Sequence, residues 1–218
     1  GRTQLGGVWQ KLRLRCGERQ KLDQGLRLYQ QGALWRCPAL PTQAPSAAPS
    51  VAGARVPARA RVVLHDRRLQ AAKDLTAGCR VLCFQLQRQR LAVAAISTRR
   101  QWDLLLAAAR SFRDCLPVQS HPDFLEVLLR DSAMRLHRLW VAWGQQLWCL
   151  THNGQLWKMA GQVEGATCLE VGDLLVRWDK QACVVVDIIP HEELEDLVTL
   201  HLAQPGTLFL DGFLAYAG

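Results

Sequence analysis

Two stretches decide the reading: LHDRRLQAAKDLTAGCRVLCF at 64–84 and THNGQLWKMAGQVEGATCLEVGDLLVRW at 151–178. Each opens with a His–Asx turn, His65–Asp66 and His152–Asn153, followed by Leu69 or Leu156. Each then reaches a Leu-x-x-Gly bend into an apolar run, Leu75–Gly78–Val81–Leu82 in one and Leu169–Gly172–Leu175–Val176 in the other. A further apolar segment follows each, RQRLAVAAI at 88–96 and KQACVVVDI at 180–188. Self-similarity of this kind marks a duplicated structural unit. Asn, Asp and Gly tolerate the positive φ of tight turns, so each copy reads as a hairpin, a glycine bend and a second hairpin. Two such copies are expected to pair about a pseudo-two-fold axis.

Outward from these stretches the same texture continues. Short apolar or alternating runs at 61–64, 81–86, 91–96, 124–129, 139–143, 147–151, 174–178, 183–189, 197–202 and 207–214 are separated by turn residues, the pattern of strands. One segment, WDLLLAAARSFR at 102–113, has helical character and is stopped by Leu116–Pro117. The fold class is therefore mainly β, a sandwich or barrel-like body with one inserted helix. Upstream, residues 37–57 are rich in Pro, Ala and Ser, which cannot bury a core, and read as a linker. Residues 1–36 contain a basic segment, 8–35, with leucines loosely at helical spacing, and read as an amphipathic helical arm. The compact domain is then 58–218.

The chain of 218 residues carries a net charge of +8. Residues 1–68 hold 13 Lys/Arg against 3 Asp/Glu, and the remainder 14 against 16. The basicity thus reads as a property of the arm, suited either to solubility or to nucleic acid, an anionic membrane surface or an acidic partner. No apolar run reaches the roughly 20 residues of a spanning helix. The chain opens with Gly1 and no signal-type apolar region follows, so it reads as a fragment or processed product. No compartment follows from that. Eight cysteines form no CxxC pair and several stand in apolar runs, so free, mostly buried thiols are expected and no metal or cofactor is implied. Trp140, Trp143, Trp148 and Trp157 fall in one neighbourhood, where core and hairpin packing is the expected role.

The segments above resemble Hint domains, the self-processing fold of hedgehog C-terminal domains and inteins. Lys73–Asp74–Leu75–Thr76–Ala77–Gly78–Cys79–Arg80–Val81–Leu82 is similar to the K-D-L-x-x-G-x-x-V-L turn of the hedgehog opening. Ala166, Leu169, Gly172, Asp173 and Leu175 are similar to the A-x-x-L-x-x-G-D-x-L segment of the second half. Gly206–Thr207–Leu208, Asp211–Gly212 and Leu214–Ala215 resemble the closing strands. The resemblance covers about 58–218, with 97–135 poorly matched.

The resemblance implies autoprocessing: a nucleophile at the first residue attacks the preceding carbonyl, and a Thr-x-x-His pair polarises the scissile peptide and moves protons. Laying 59–64 on the hedgehog opening puts the nucleophile near Arg55, and an arginine cannot do this work. Cys37 lies beyond the linker, and Ser50 would need five extra residues before the first strand. Thr151 and His152 are the nearest match to the Thr/His pair but are adjacent. On an extended strand they would face opposite ways. His137 is an alternative histidine before an apolar strand, and Asp187 and Cys183 are alternative proton-relay groups. The chain end, AYAG, lacks the terminal Asn of splicing inteins, and the sterol-recognition segment that follows hedgehog Hint domains has no counterpart. The expectation is a Hint-type autoprocessing domain, impaired for want of its cysteine, acting if at all on its own chain. The alternative is a non-enzymatic interaction module whose arm at 8–36 makes the contact.

Overall fold

The computed structural model describes residues 54–86, 88, 90–101, 124–151, 154–163, 165–191, 196–204 and 206–217. The expected arm, most of the linker, the helix at 102–113 and His152–Asn153 lie outside these residues. The described body is β throughout apart from one 3-10 turn, Ala72–Asp74.

Fourteen strands are described: β1 (Ala54–Pro57), β2 (Arg61–Val63), β3 (Leu69–Ala71), β4 (Arg80–Gln85), β5 (Arg90–Gln101), β6 (Phe124–Arg130), β7 (Leu136–Ala142), β8 (Gln146–Thr151), β9 (Gly154–Met159), β10 (Leu174–Val176), β11 (Ala182–His191), β12 (Leu197–Leu202), β13 (Thr207–Leu210) and β14 (Phe213–Tyr216). They form a four-stranded sheet, β1-β12-β5-β4, and a larger sheet, β3-β2-β13-β14-β8-β10-β11-β6-β7, with β9 on the far edge of β8. β1 falls in the last four residues of the stretch read as linker, because alternation over four residues is too short a signal without its partner β12. The run at 207–214 is two strands rather than one, split by Asp211 (φ 46°) and Gly212 (φ 95°).

The duplication is visible bond by bond. In the first half Gly78 N donates to Ile96 O at 2.8 Å, and Ile96 N donates to Cys79 O at 2.9 Å. In the second, Gly172 N donates to Val185 O at 2.9 Å, and Val185 N to Asp173 O at 2.8 Å. The preceding turns match as well. Thr76 N donates to Cys79 Sγ, as Glu170 N donates to Asp173 Oδ2. Gly78 and Gly172 sit at φ 88° and 95°, where a Cβ would be strained, so the bend requires glycine twice. Leu75, Val81 and Leu82 thereby correspond to Leu169, Leu175 and Val176, as the sequence pattern implies.

The hairpins that open each half match differently from the sequence reading. Ala72 N donates to Ala60 O, and Ala160 N donates to Gln145 O, so Ala60 corresponds to Gln145. Counting on from there, His65 corresponds to Leu150 and not to His152. The β8–β9 hairpin is longer, its pairing running out to Thr151 opposite Gly154, so the two His–Asx dipeptides are not equivalent positions. Aligning the tips by residue type cannot detect a difference in hairpin length.

Each half also exchanges its last strand with the other. β5 pairs β4 with its first part and β12 with its last. β11 likewise pairs β10 and then β6. Thus β6, at the end of the first half, joins β11 and β7 of the second, while β12, at the end of the second, joins β5 and β1 of the first. The register of each long strand slips at the handover, at Ser97 in β5 and Val186 in β11, the same position in both copies. A bulge there bends the strand so that one chain can serve two sheets.

Two apolar clusters result. The larger, including Val62, Val81, Ile96, Leu129, Leu139, Leu175, Val185, Leu200 and Phe213, fills the space between the halves. The smaller, including Val63, Leu82, Phe84, Trp148, Leu174, Val184 and Phe209, lies on the opposite faces of the same strands, as a two-residue period requires. Polar groups join the parts where backbone pairing stops. The buried Thr207 hydroxyl accepts from Phe84 N at 2.9 Å and donates to Phe84 O at 2.9 Å, tying β13 to β4. Asp211, its side chain 1% exposed, accepts from Arg61 N and Nε through Oδ1 and from Trp140 N through Oδ2, tying one half to the other. Burial pushes the Asp211 carboxyl up, against the pull of these donors.

Candidate functional site

The β1 strand and its following turn occupy the place where the sequence reading puts the nucleophile. Arg55 is exposed on β1, paired with Thr199 of β12, and β1 packs against β7. Residues 54–63 contain no Ser, Thr or Cys. Ala60 N closes the turn on Pro57 O at 3.0 Å, and Ala58 N donates to Asp196 O at 2.8 Å. The Arg59 guanidinium lies 4.7 Å from the centre of the Trp140 ring and 5.7 Å from that of Phe124, within cation–π range. His191 stacks on Phe124 at 5.3 Å with a 4° interplanar angle and meets Trp140 at 5.2 Å. Its Nε2 is 3.2 Å from Glu126, which also holds Arg138. This aromatic and histidine cluster escaped the sequence reading, since its members come from the β1–β2 turn, β6, β7 and β11. Only the pairing of Phe124 with both Ala142 and His191 brings them together.

The counterpart of the 57–60 turn in the second half is 142–145, where Gln145 N donates to Ala142 O at 3.1 Å. The buried Gln145 side chain donates to Tyr216 O at 2.7 Å and to Gln146 O at 3.2 Å. The turn is thus fastened to the last described strand.

The expected site residues are dispersed. Thr151 ends β8, its side chain and the whole of His152 lying outside the description. His137 on β7 is half-buried, its Nε2 3.0 Å from Asp131 Oδ2. Asp131 also accepts from Arg135 N at 2.9 Å and Nε at 2.7 Å. Burial alone would raise that carboxyl, but the bonds from His137 and from Arg135 outweigh it and hold it at about 2. His137 therefore serves the β6–β7 turn. Asp187 shares a strand row with Leu128 and Arg138, whereas His137 shares the adjacent row with Leu129 and Val185, so the two point to opposite faces of the sheet. Asp187 Oδ1 accepts from Ile188 N. Cys183 is fully buried, and burial pushes its thiol up to about 12.

All five described cysteines are free, and burial also raises Cys83 and Cys149. Thiols held protonated are poor nucleophiles. Among the described residues no group of three or more His, Cys, Asp or Glu is gathered to hold a metal ion. No helix there is long and apolar enough to cross a membrane. The tryptophans pack: Trp148 meets Trp157 across β8 and β9 at 5.2 Å, and Trp157 meets Tyr216 at 5.6 Å.

No protein-family model matches the chain, and no curated protein does. Among solved structures, a bacterial intein-like domain from Clostridium thermocellum matches with a TM-score of 0.50 at 12% identity, covering 75% of this chain and 98% of that one. The TvoVMA intein matches at 0.49 and 15% identity, covering 75% and 96%. A DnaB intein from Synechocystis matches at 0.47 and 13%, covering 75% and 98%. The fold is the intein-like Hint fold, as the duplicated, strand-exchanged topology requires.

Proposed function

We propose that this chain is a Hint-type autoprocessing module whose acyl-shift chemistry is impaired, its only substrate being its own polypeptide. The observation that carries the reading is Arg55 on β1: an exposed guanidinium, with no nucleophilic atom to offer, where the fold's chemistry calls for a thiol or hydroxyl. A second observation supports it. A Thr-x-x-His pair set three residues apart before an apolar strand suits the first and last positions of a turn, and the turn before β8 offers Ala142 and Gln145 instead. Neither can act as a general acid or base. Thr151, six residues beyond Gln145, is on this reading the last residue of β8 and outside that turn.

The chain carrying a tag at each end is expected to keep its intact mass through long incubation, with or without dithiothreitol. A fragment beginning between 50 and 59 would overturn the proposal. The complementary variant R55C/A142T/Q145H is expected to gain dithiothreitol-dependent cleavage before residue 55. If the folded triple variant stays intact under the same conditions, the assignment of these positions is wrong.

A further inference from the structure

The β4–β5 hairpin carries charge and apolar surface that the body does not use. Cross-strand partners Arg80 and Ala95, Leu82 and Val93, and Phe84 and Leu91 share one face. Leu82 and Phe84 are buried in the smaller core, yet Val93 and Leu91 opposite them are 42% and 36% exposed. Arg80, Arg88 and Arg90 on the same hairpin are exposed and form no ion pair among the described residues. The imbalance extends over the first half: residues 54–101 hold 11 Lys/Arg and 2 Asp/Glu. The basicity is therefore not confined to the arm, which corrects the reading from the sequence halves. Elsewhere Arg61 and Arg68 of this half, and Arg135, Arg138, Lys158 and Arg177 of the second, each meet a carboxylate. Arginines left without acids repel one another, and exposed leucine and valine gain nothing from water. An anionic partner with an apolar layer removes both costs.

We propose that the β4–β5 hairpin docks on an anionic lipid surface, with Arg80, on the same face, and Arg88, in the turn, on headgroup phosphates and Leu91 and Val93 entering the acyl boundary. Arginine pairs with phosphate through its planar fork, and the headgroup region accepts aliphatic side chains beneath cationic ones. Nucleic acid fits less well. The exposed large apolar residues among those described are all aliphatic, and offer no ring on which a base could stack. The inference stands whether or not the chain processes itself.

The test is co-sedimentation of the full chain with phosphatidylcholine vesicles and with vesicles containing phosphatidylserine, at low and high salt. Binding to the anionic vesicles alone is expected. Each arginine near such a surface is worth about a five-fold change, so R80Q/R88Q is expected to bind about 25-fold more weakly. These are surface substitutions that keep the fold, checked by circular dichroism. L91S/V93S is expected to weaken vesicle binding about ten-fold while leaving heparin retention unchanged, which a purely electrostatic contact would not do. Vesicle binding by the arginine variant equal to that of the parent would overturn the proposal by assigning the contact to the basic segment upstream. Preference for duplex DNA over vesicles, with L91S/V93S unaffected, would overturn it in favour of nucleic acid.

Discussion

Replacing Thr207 with valine tests the joint between the two sheets. Thr207 is fully buried, and its hydroxyl supplies both bonds that the backbone of Phe84 would otherwise draw from a neighbouring strand, each at 2.9 Å. Valine keeps the shape and removes the hydroxyl, so a buried N–H and a buried C=O lose their partner together. Each orphaned group costs about 1–3 kcal/mol, and the pair about 3 kcal/mol after the gain from an added apolar methyl. Serine keeps both bonds and loses one methyl, costing about 1 kcal/mol. The order is therefore opposite to what volume predicts: the isosteric change is the worse one. Urea unfolding followed by fluorescence and circular dichroism measures it. With an m-value of about 2 kcal/mol/M, T207V should lower the midpoint by about 1.5 M and T207S by about 0.5 M. Native-state hydrogen exchange at Phe84 should accelerate in T207V more than at Leu82. If T207V matches the parent, or T207S is the less stable of the two, Thr207 does not hold β13 to β4 in the way described.

Further outcomes follow from the other buried polar groups. Lys158 and Asp173, each 8% exposed, meet at 2.8 Å, and burial pushes the Asp173 carboxyl up against the pull of the ammonium. K158M leaves that carboxylate without its counter-ion, held only by Glu170 N, and should cost about 3–5 kcal/mol, whereas K158M/D173N, which removes the charge and keeps that bond, should fall near the parent in thermal unfolding. A double variant as unstable as the single would disprove that account. Asp131, held at about 2 against an ordinary 3.8, should contribute stability above pH 4 that disappears as the pH falls towards 2. The amount is about 2 kcal/mol, and D131N should lack that acid limb of the stability profile. Gly161 adopts φ 87°, and a Cβ there would lie 2.5 Å from the Trp143 ring. G161A should therefore lower the melting temperature by about 5–10 °C, through strain of about 2–3 kcal/mol. An unchanged melting temperature would show that Trp143 yields freely.

Residue patterning alone gives most of the strands, though not β1, β3 or β9, together with the duplication and its glycine bends. Leu75, Gly78 and Val81 match Leu169, Gly172 and Leu175 in three dimensions, because a glycine at positive φ before an apolar strand is a local requirement written in local residues. The tertiary structure alone decided the exchange of β6 and β12, the pairing of β1, and the true alignment of the opening hairpins. These depend on partners about 55–145 residues apart, and a two-residue period says which side of a strand is buried but not against what. The same separation hid the Arg59, Phe124, Trp140 and His191 cluster and the role of Asp211. The correspondence of the turn at 142–145 with that at 57–60 likewise needs the backbone bond from Ala160 to Gln145, set beside that from Ala72 to Ala60.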